Sequence, residues 1–318
     1  MEKVSFTSPF DLFSIGSGFG MMSPYEDETL AYFAAHPTMT PAEVAALDLE
    51  IKGIKSAGMA VASTEALAQA ARVEADSGVI IDPGFLHVVL STLKAQSILT
   101  SAKFIADANI AVKKDGAGAV STLYDISGND NDAVQATGSA QPVWTAAQQG
   151  IRAGMVFDGD DTLTATPFFA AITNSEIMAV VKEADYGPLR RIVHVSNAAV
   201  SRSHIVHTQT TKAYGLYAGS ANNQGEKAGL SNNSAYVISS AMPSQASLTV
   251  FVNGVAGTEA TTDGGAGDAA TKMTIGALIG GVQQLVGSLM TLKVFSASLT
   301  ATQRVAVESM LNTYYAIY

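Results

Sequence analysis

Cysteine is absent from all 318 residues, which excludes disulfides and thiolate chemistry together. Stability in an oxidising environment must then come from packing or oligomerisation. Charge is also scarce, at 14% of residues with a net charge of -10. Basic residues form no cluster longer than Lys113-Lys114 or Arg190-Arg191, so a nucleic-acid partner is not expected. No run of about 18 uncharged apolar residues is present to cross a membrane. Asp11 and several Pro/Gly breaks interrupt the opening "MEKVSFTSPFDLFSIGSGFGMM", so it is not expected to act as a secretory signal. A chain made in the cytoplasm, kept there or released by lysis, is the expectation.

What is present divides in two. Phe6, Phe10, Phe13 and Phe19 punctuate a Ser- and Gly-rich stretch over 1–22, read as an extended arm. Such an arm cannot shelter its own aromatics, and its cover is either its own body or a neighbouring subunit. Helix-start signals follow. Ser23-Pro24 with Glu26 opens one candidate, and Thr40-Pro41 with Glu43 opens a second that Gly58 closes. In the second, Val44, Leu47, Ile51 and Ile54 form one apolar stripe. Ser63 to Gly78 bounds a third, and Asp82-Pro83 starts a fourth. From about residue 100 the texture changes to short β-branched or alternating runs such as "EIMAVVK", "RIVHV", "HIVHTQT", "AYVISSA" and "SLTVFVNG". Gly, Asn, Asp and Ser separate them, as in an antiparallel sandwich. Asn253-Gly254 between apolar runs predicts a type I′ hairpin. A last helix, capped by Ser298 or Thr300, closes the chain.

Four segments in order carry a family resemblance. They are "VSTLYDISGNDNDAVQAT", "GIRAGMVFDGDDTLTAT", "LTVFVNGVAG" and the closing "IGALIGGVQQLVGSLMTLKVFSASLTATQRVAVESMLNTYY". Together they resemble the concanavalin A-like, or laminin G-like, jelly roll of bacterial surface and bacteriophage virion proteins. The resemblance covers roughly residues 100–318. It implies a mainly β fold: a concanavalin A-like antiparallel β-sandwich preceded by a small N-terminal helical region. The expected organisation is an arm over 1–22, a helical assembly region over 23–98 and a jelly roll with C-terminal helix over 99–318.

The Asn- and Asp-rich stretch at 123–166 is then read as turn chemistry. Asp125, Ser127, Gly128, Asn129 and Asn131 supply side-chain-to-backbone bonds and left-handed geometry, and Gly159 serves a second turn. Asp158, Asp160 and Asp161 are the candidate metal ligands, with calcium as the ion. Calcium wants six to eight oxygens, and three carboxylates supply at most half, so a plain turn is preferred and no cofactor is expected. Related glucanases use paired carboxylates, but here only Glu183 and Asp185 stand near one another before Gly187-Pro188 breaks the strand. His204 and His207 are three apart, which on a strand sends them to opposite faces. "GSGFG" lacks the strand and helix of a dinucleotide fingerprint. Sugar recognition wants an aromatic platform beside amides, and Tyr214, Tyr217, Asn222 and Asn223 are the candidates.

The resemblance therefore implies a non-enzymatic structural component of a tailed-phage virion, in capsid decoration, tail, baseplate or fibre. Its lectin-like jelly roll would face outward, and its partners would be copies of itself and other virion proteins. The alternatives are a carbohydrate-binding adhesin or receptor-binding module that engages host-surface glycans, and a divergent polysaccharide hydrolase.

Overall fold

In the computed structural model, residues 4–5, 38–39, 60–166, 174–196, 203–218, 223–244, 247–261, 271–278 and 282–318 are described. The chain divides into two units, Met1–Val61 and Ala62–Tyr318. In the first, β1 (Val4–Ser5) pairs antiparallel with β2 (Thr38–Met39). The helices expected within 23–37 and 40–58, and the arm beyond β1, lie outside the described residues.

Helix α1 (Ala60–Ala75), most of it in the second unit, is followed by β3 (Val79–Ile80) and α2 (Pro83–Ala95). Strands β4 (Ala102–Asp107), β5 (Ala111–Lys114), β6 (Val120–Leu123), β7 (Ala133–Val134), β8 (Val143–Gln149), β9 (Arg152–Asp158) and β10 (Leu163–Ala165) follow. Next come β11 (Ser175–Lys182), β12 (Arg190–Ser196), β13 (Ser203–Gln209), β14 (Lys212–Ala218), β15 (Asn223–Ala228) and β16 (Ala235–Ser244). Then β17 (Ser247–Val252), β18 (Val255–Ala256), β19 (Ala260–Thr261), β20 (Lys272–Ile275), β21 (Val286–Phe295) and α3 (Ala301–Tyr315) complete the chain.

Among the described residues of this unit the strand pairs are antiparallel and fall into two large sheets, as the sequence led us to expect. One runs β15-β14-β13-β12-β20-β10-β7-β6-β5-β3. The other runs β18-β17-β16-β11-β21-β9-β8, with β19 on β17 and β4 on β21. Between them lies a core that includes Phe104, Phe157, Ile177, Val181, Val193, Val206, Val250 and Leu292. The helices create a second core on the outer face of the β11 sheet. There Phe85, Leu90, Leu93, Val307 and Leu311 meet Met178, Val180, Val237 and Met290. Strand β11 thus sends Ile177, Ala179 and Val181 to one core and Met178 and Val180 to the other. That is why "EIMAVVK" carries no polar alternation.

Helix boundaries follow local chemistry. Asp82 caps α2 by accepting from the Phe85 N–H at 2.8 Å, with Pro83 in the first turn. Thr300 rather than Ser298 caps α3, in a reciprocal capping box with Gln303. Ser63 is not a cap: α1 starts at Ala60, because the Ala-rich run extends the helix past it. Ser77, with φ 62°, takes the left-handed position after α1. Gly78 is required for another reason, since a Cβ there would strike the Tyr124 ring.

The turn after β6 has an architectural task. The Asp125 carboxylate accepts from the Ile105 N–H at 2.9 Å, the Ser127 N–H at 2.9 Å, the Ser127 hydroxyl at 2.9 Å and the Asn131 N–H at 3.1 Å. Asn129 donates to the Ala102 carbonyl at 2.8 Å and Asn131 to the Lys103 carbonyl at 2.9 Å. Gly128, at φ 93°, and Asp130, at φ 55°, supply the left-handed bends. Side chains of the turn therefore bond the outer edge of β4 as a further strand would.

Polar contacts fix α3 at both ends. Arg304 forks onto the buried Glu176 carboxylate of β11 at 2.6 and 2.8 Å, and Ser239 and the Leu299 N–H donate to the same carboxylate at 2.7 and 2.8 Å. At the other end the Tyr315 hydroxyl donates to Asp107 at 2.7 Å, and Tyr314 stacks on Phe85. Removing one partner of a buried, hydrogen-bonded ion pair strands the other. Arg304→Met is expected to destabilise by about 3–5 kcal/mol in denaturant unfolding. Adding Glu176→Met to it should recover part of that loss, since no charge is then left buried.

Candidate binding face on the ten-stranded sheet

The polar stretch after Tyr214 is largely a hairpin of β14 and β15. Asn222 lies outside the described residues. Asn223 opens β15 directly opposite Tyr217. Tyr214 and Tyr217 are three residues apart on one strand, so the two positions belong to opposite faces of the sheet. The fold does not assemble them into one platform.

It assembles a different set. Register across four strands places Arg191 of β12 opposite His207 of β13, His207 opposite Tyr214 of β14, and Tyr214 opposite Glu226 of β15. The Tyr214 ring stacks on the His207 imidazole with centroids 4.9 Å apart and planes 10° from parallel. Arg191 Nη1 lies 2.7 Å from His207 Nδ1. Arginine can only donate, so Nδ1 is the acceptor and the ring proton sits on Nε2. Arg191 Nε donates to Gln283 Oε1 at 2.7 Å. Glu226 is held by Lys212 at 2.8 Å. Arg191 and His207 are buried while Tyr214 is partly exposed. Burial and the neighbouring guanidinium push His207 down to about 3, so it is neutral at physiological pH. In the sequence Arg191 stands out only as half of a basic pair, and His207 only as one of two histidines three apart. Their meeting depends on the bulge between Arg191 and Val193, which no local pattern announces.

The remaining candidates are occupied by structure. His204 and His207 lie on opposite faces, and His204 bridges the hydroxyls of Ser175 and Ser240 at 2.8 Å on each side. His194 stands opposite Ile205. Asp158, Asp160 and Asp161 bring one carboxylate oxygen each within 4.8 Å of the others. Two of their oxygens are engaged by the turn's own backbone: Asp161 accepts from the Asp158 N–H at 3.0 Å, and Asp158 from the Asp160 N–H at 3.3 Å. With Gly159 at φ 112°, this is the geometry of a closed turn, and it fits calcium poorly. Asn253 and Gly254, at φ 50° and 76°, form the two-residue link between β17 and β18.

Glu183 directly follows β11 and has no exposed surface, and its carboxylate accepts from Thr208 at 2.7 Å. Burial raises it to about 8. Asp185, its only near acidic companion in sequence, accepts from the Gly187 N–H at 2.8 Å. Below the ordinary value of 4.5 Glu183 is neutral in both the folded and unfolded chain. As pH rises towards 8 the unfolded chain ionises and the folded chain does not, so stability is lost over that window. Glu183→Gln should therefore melt progressively higher than the parent between pH 5 and 9, with the two converging below pH 4.5. Parallel melting curves at all pH values would show that the carboxyl titrates normally.

No family model matches this sequence, and no curated protein matches it. Solved structures do. The botulinum neurotoxin serotype D binding domain is 12% identical, with 67% of this chain and 51% of that chain covered and a TM-score of 0.49. A tryptophan-to-alanine mutant of HCR/D is 11% identical, with 67% and 53% covered and a TM-score of 0.50. Domains LG4-5 of the mouse laminin alpha1 chain are 11% identical, with 46% and 44% covered and a TM-score of 0.38. The match thus spans about half the length of the toxin-domain chains. At such identity the likeness is one of fold alone: this chain is mainly β, a two-sheet antiparallel sandwich.

Proposed function

We propose that the chain is a non-enzymatic recognition protein whose sandwich binds glycans through the Tyr214 face, carried on a larger assembly. The observation behind this reading is the cross-strand row of Arg191, His207, Tyr214 and Glu226. It offers a partly exposed aromatic ring, pre-oriented by an imidazole and a guanidinium and flanked by the Lys212–Glu226 pair. Sugar rings are held by such a mixture of apolar platform and oriented polar groups. A hydrolase reading finds less support, because Glu183 is buried against Thr208 and Asp185 is turned to its own loop. The assembly we favour is a tailed-phage virion, which the sequence resemblance implies. The separate first unit, Met1–Val61, is the natural candidate for attachment to other virion proteins or to further copies of the chain.

Two measurements test the two halves of the proposal. On a glycan panel the full chain should bind, Tyr214→Ala should weaken binding at least tenfold, and Tyr217→Ala, at a position on the opposite face, should leave it within a few fold. Absence of binding to any glycan would remove the recognition role. Quantitative mass spectrometry of gradient-purified particles from a lysate of the source organism should recover the chain at a fixed ratio to a capsid or tail protein. Recovery in the soluble fraction alone would end the virion reading.

A further inference from the structure

Two arginines of the sandwich are buried to the same degree, and their surroundings differ. Arg304 and Arg191 each retain 8% of their surface. Arg304 forks onto the Glu176 carboxylate. Arg191 meets the amide oxygen of Gln283 and the neutral His207 ring. Among the described residues no carboxylate approaches its guanidinium within 4 Å. Glu226 shares its cross-strand row but is taken by Lys212 at 2.8 Å. A buried cation without a counter-charge is costly unless something supplies one.

We infer that Arg191 is an anion-binding subsite, taking the carboxylate of a ligand whose remainder lies along Tyr214. A guanidinium presents paired N–H groups matched to the two oxygens of a carboxylate. Gln283 and His207 hold its Nε and Nη1 so that the rest of the fork is directed by its fixed partners. Burial lowers Arg191 to about 10, which leaves it cationic at neutral pH. His194 and His207, lowered to about 4 and about 3 with Arg191 among the causes, add no charge that competes with the anion. The inference deepens the recognition reading and rests on the same face, and it selects acidic over neutral sugars.

The test uses calorimetric titration of the full chain with glucuronate, glucose and acetate at constant ionic strength. Glucuronate should bind at least tenfold more tightly than glucose, acetate should compete with it, and Arg191→Met should erase the difference. Arg191→Lys, which keeps the charge without the fork, should retain a reduced preference. In anion-free buffer Arg191→Met should melt no lower than the parent, because it removes a buried charge that no described carboxylate offsets; Arg304→Met, which breaks a pair, should melt well below it. Equal binding of glucuronate and glucose, with both lost in Tyr214→Ala, would overturn the anion subsite and leave glycan recognition standing. Failure of glucuronate and acetate to bind, with Arg191→Met as destabilised as Arg304→Met, would make Arg191 a strut of the sheet.

Discussion

A sheet whose central strands are apolar on both sides needs two covers, and this requirement governs the architecture. Strands β11 and β21 are buried on both faces. The ten-stranded sheet covers one side and the three helices the other. The helices are therefore a structural layer of the sandwich. Their apolar faces alone would leave α3 free to slide, because non-directional burial sets no register. Glu176 with Arg304, and Asp107 with Tyr315, fix where the helix sits.

The same currency explains how ionisable groups are distributed. Glu176, Asp107 and Asp125 lie inside because each carboxylate is surrounded by donors from two or more elements. Glu183 has one such donor in Thr208 and responds by holding its proton. Histidines 194, 204 and 207 respond by losing theirs. Arg191 has neither response open to it, since a guanidinium does not deprotonate near neutrality. These buried ionisable groups thus differ in how far neighbouring donors and acceptors offset their burial.

Much of the fold was legible because its signals are local. Asn253-Gly254 between apolar runs, the Asp82-Pro83 helix start and the Thr300–Gln303 box each act within a few residues. Strand runs such as "EIMAVVK" announced themselves as strands, yet nothing in them says which of two layers each face meets. The start of α1 misled because Ser63 resembles a cap, while the surrounding alanines favour continuing the helix. The candidate face was the least legible part. Arg191, His207 and Tyr214 come from three strands, and only inter-strand register with a one-residue bulge at β12 places them in line. Tyr214 and Tyr217, which look adjacent as letters, are divided by the pleat.

The turn over 125–131 has a bearing on colloidal behaviour. An open strand edge invites another chain to add to it, the first step of sheet-to-sheet polymerisation. Along β4 that edge is already saturated by Asp125, Asn129 and Asn131, whose short polar side chains end the ladder and offer no onward row of backbone groups. Molecules crowded side by side on a repetitive surface would find no template there, so high local concentration would not turn this edge into a seed for fibres.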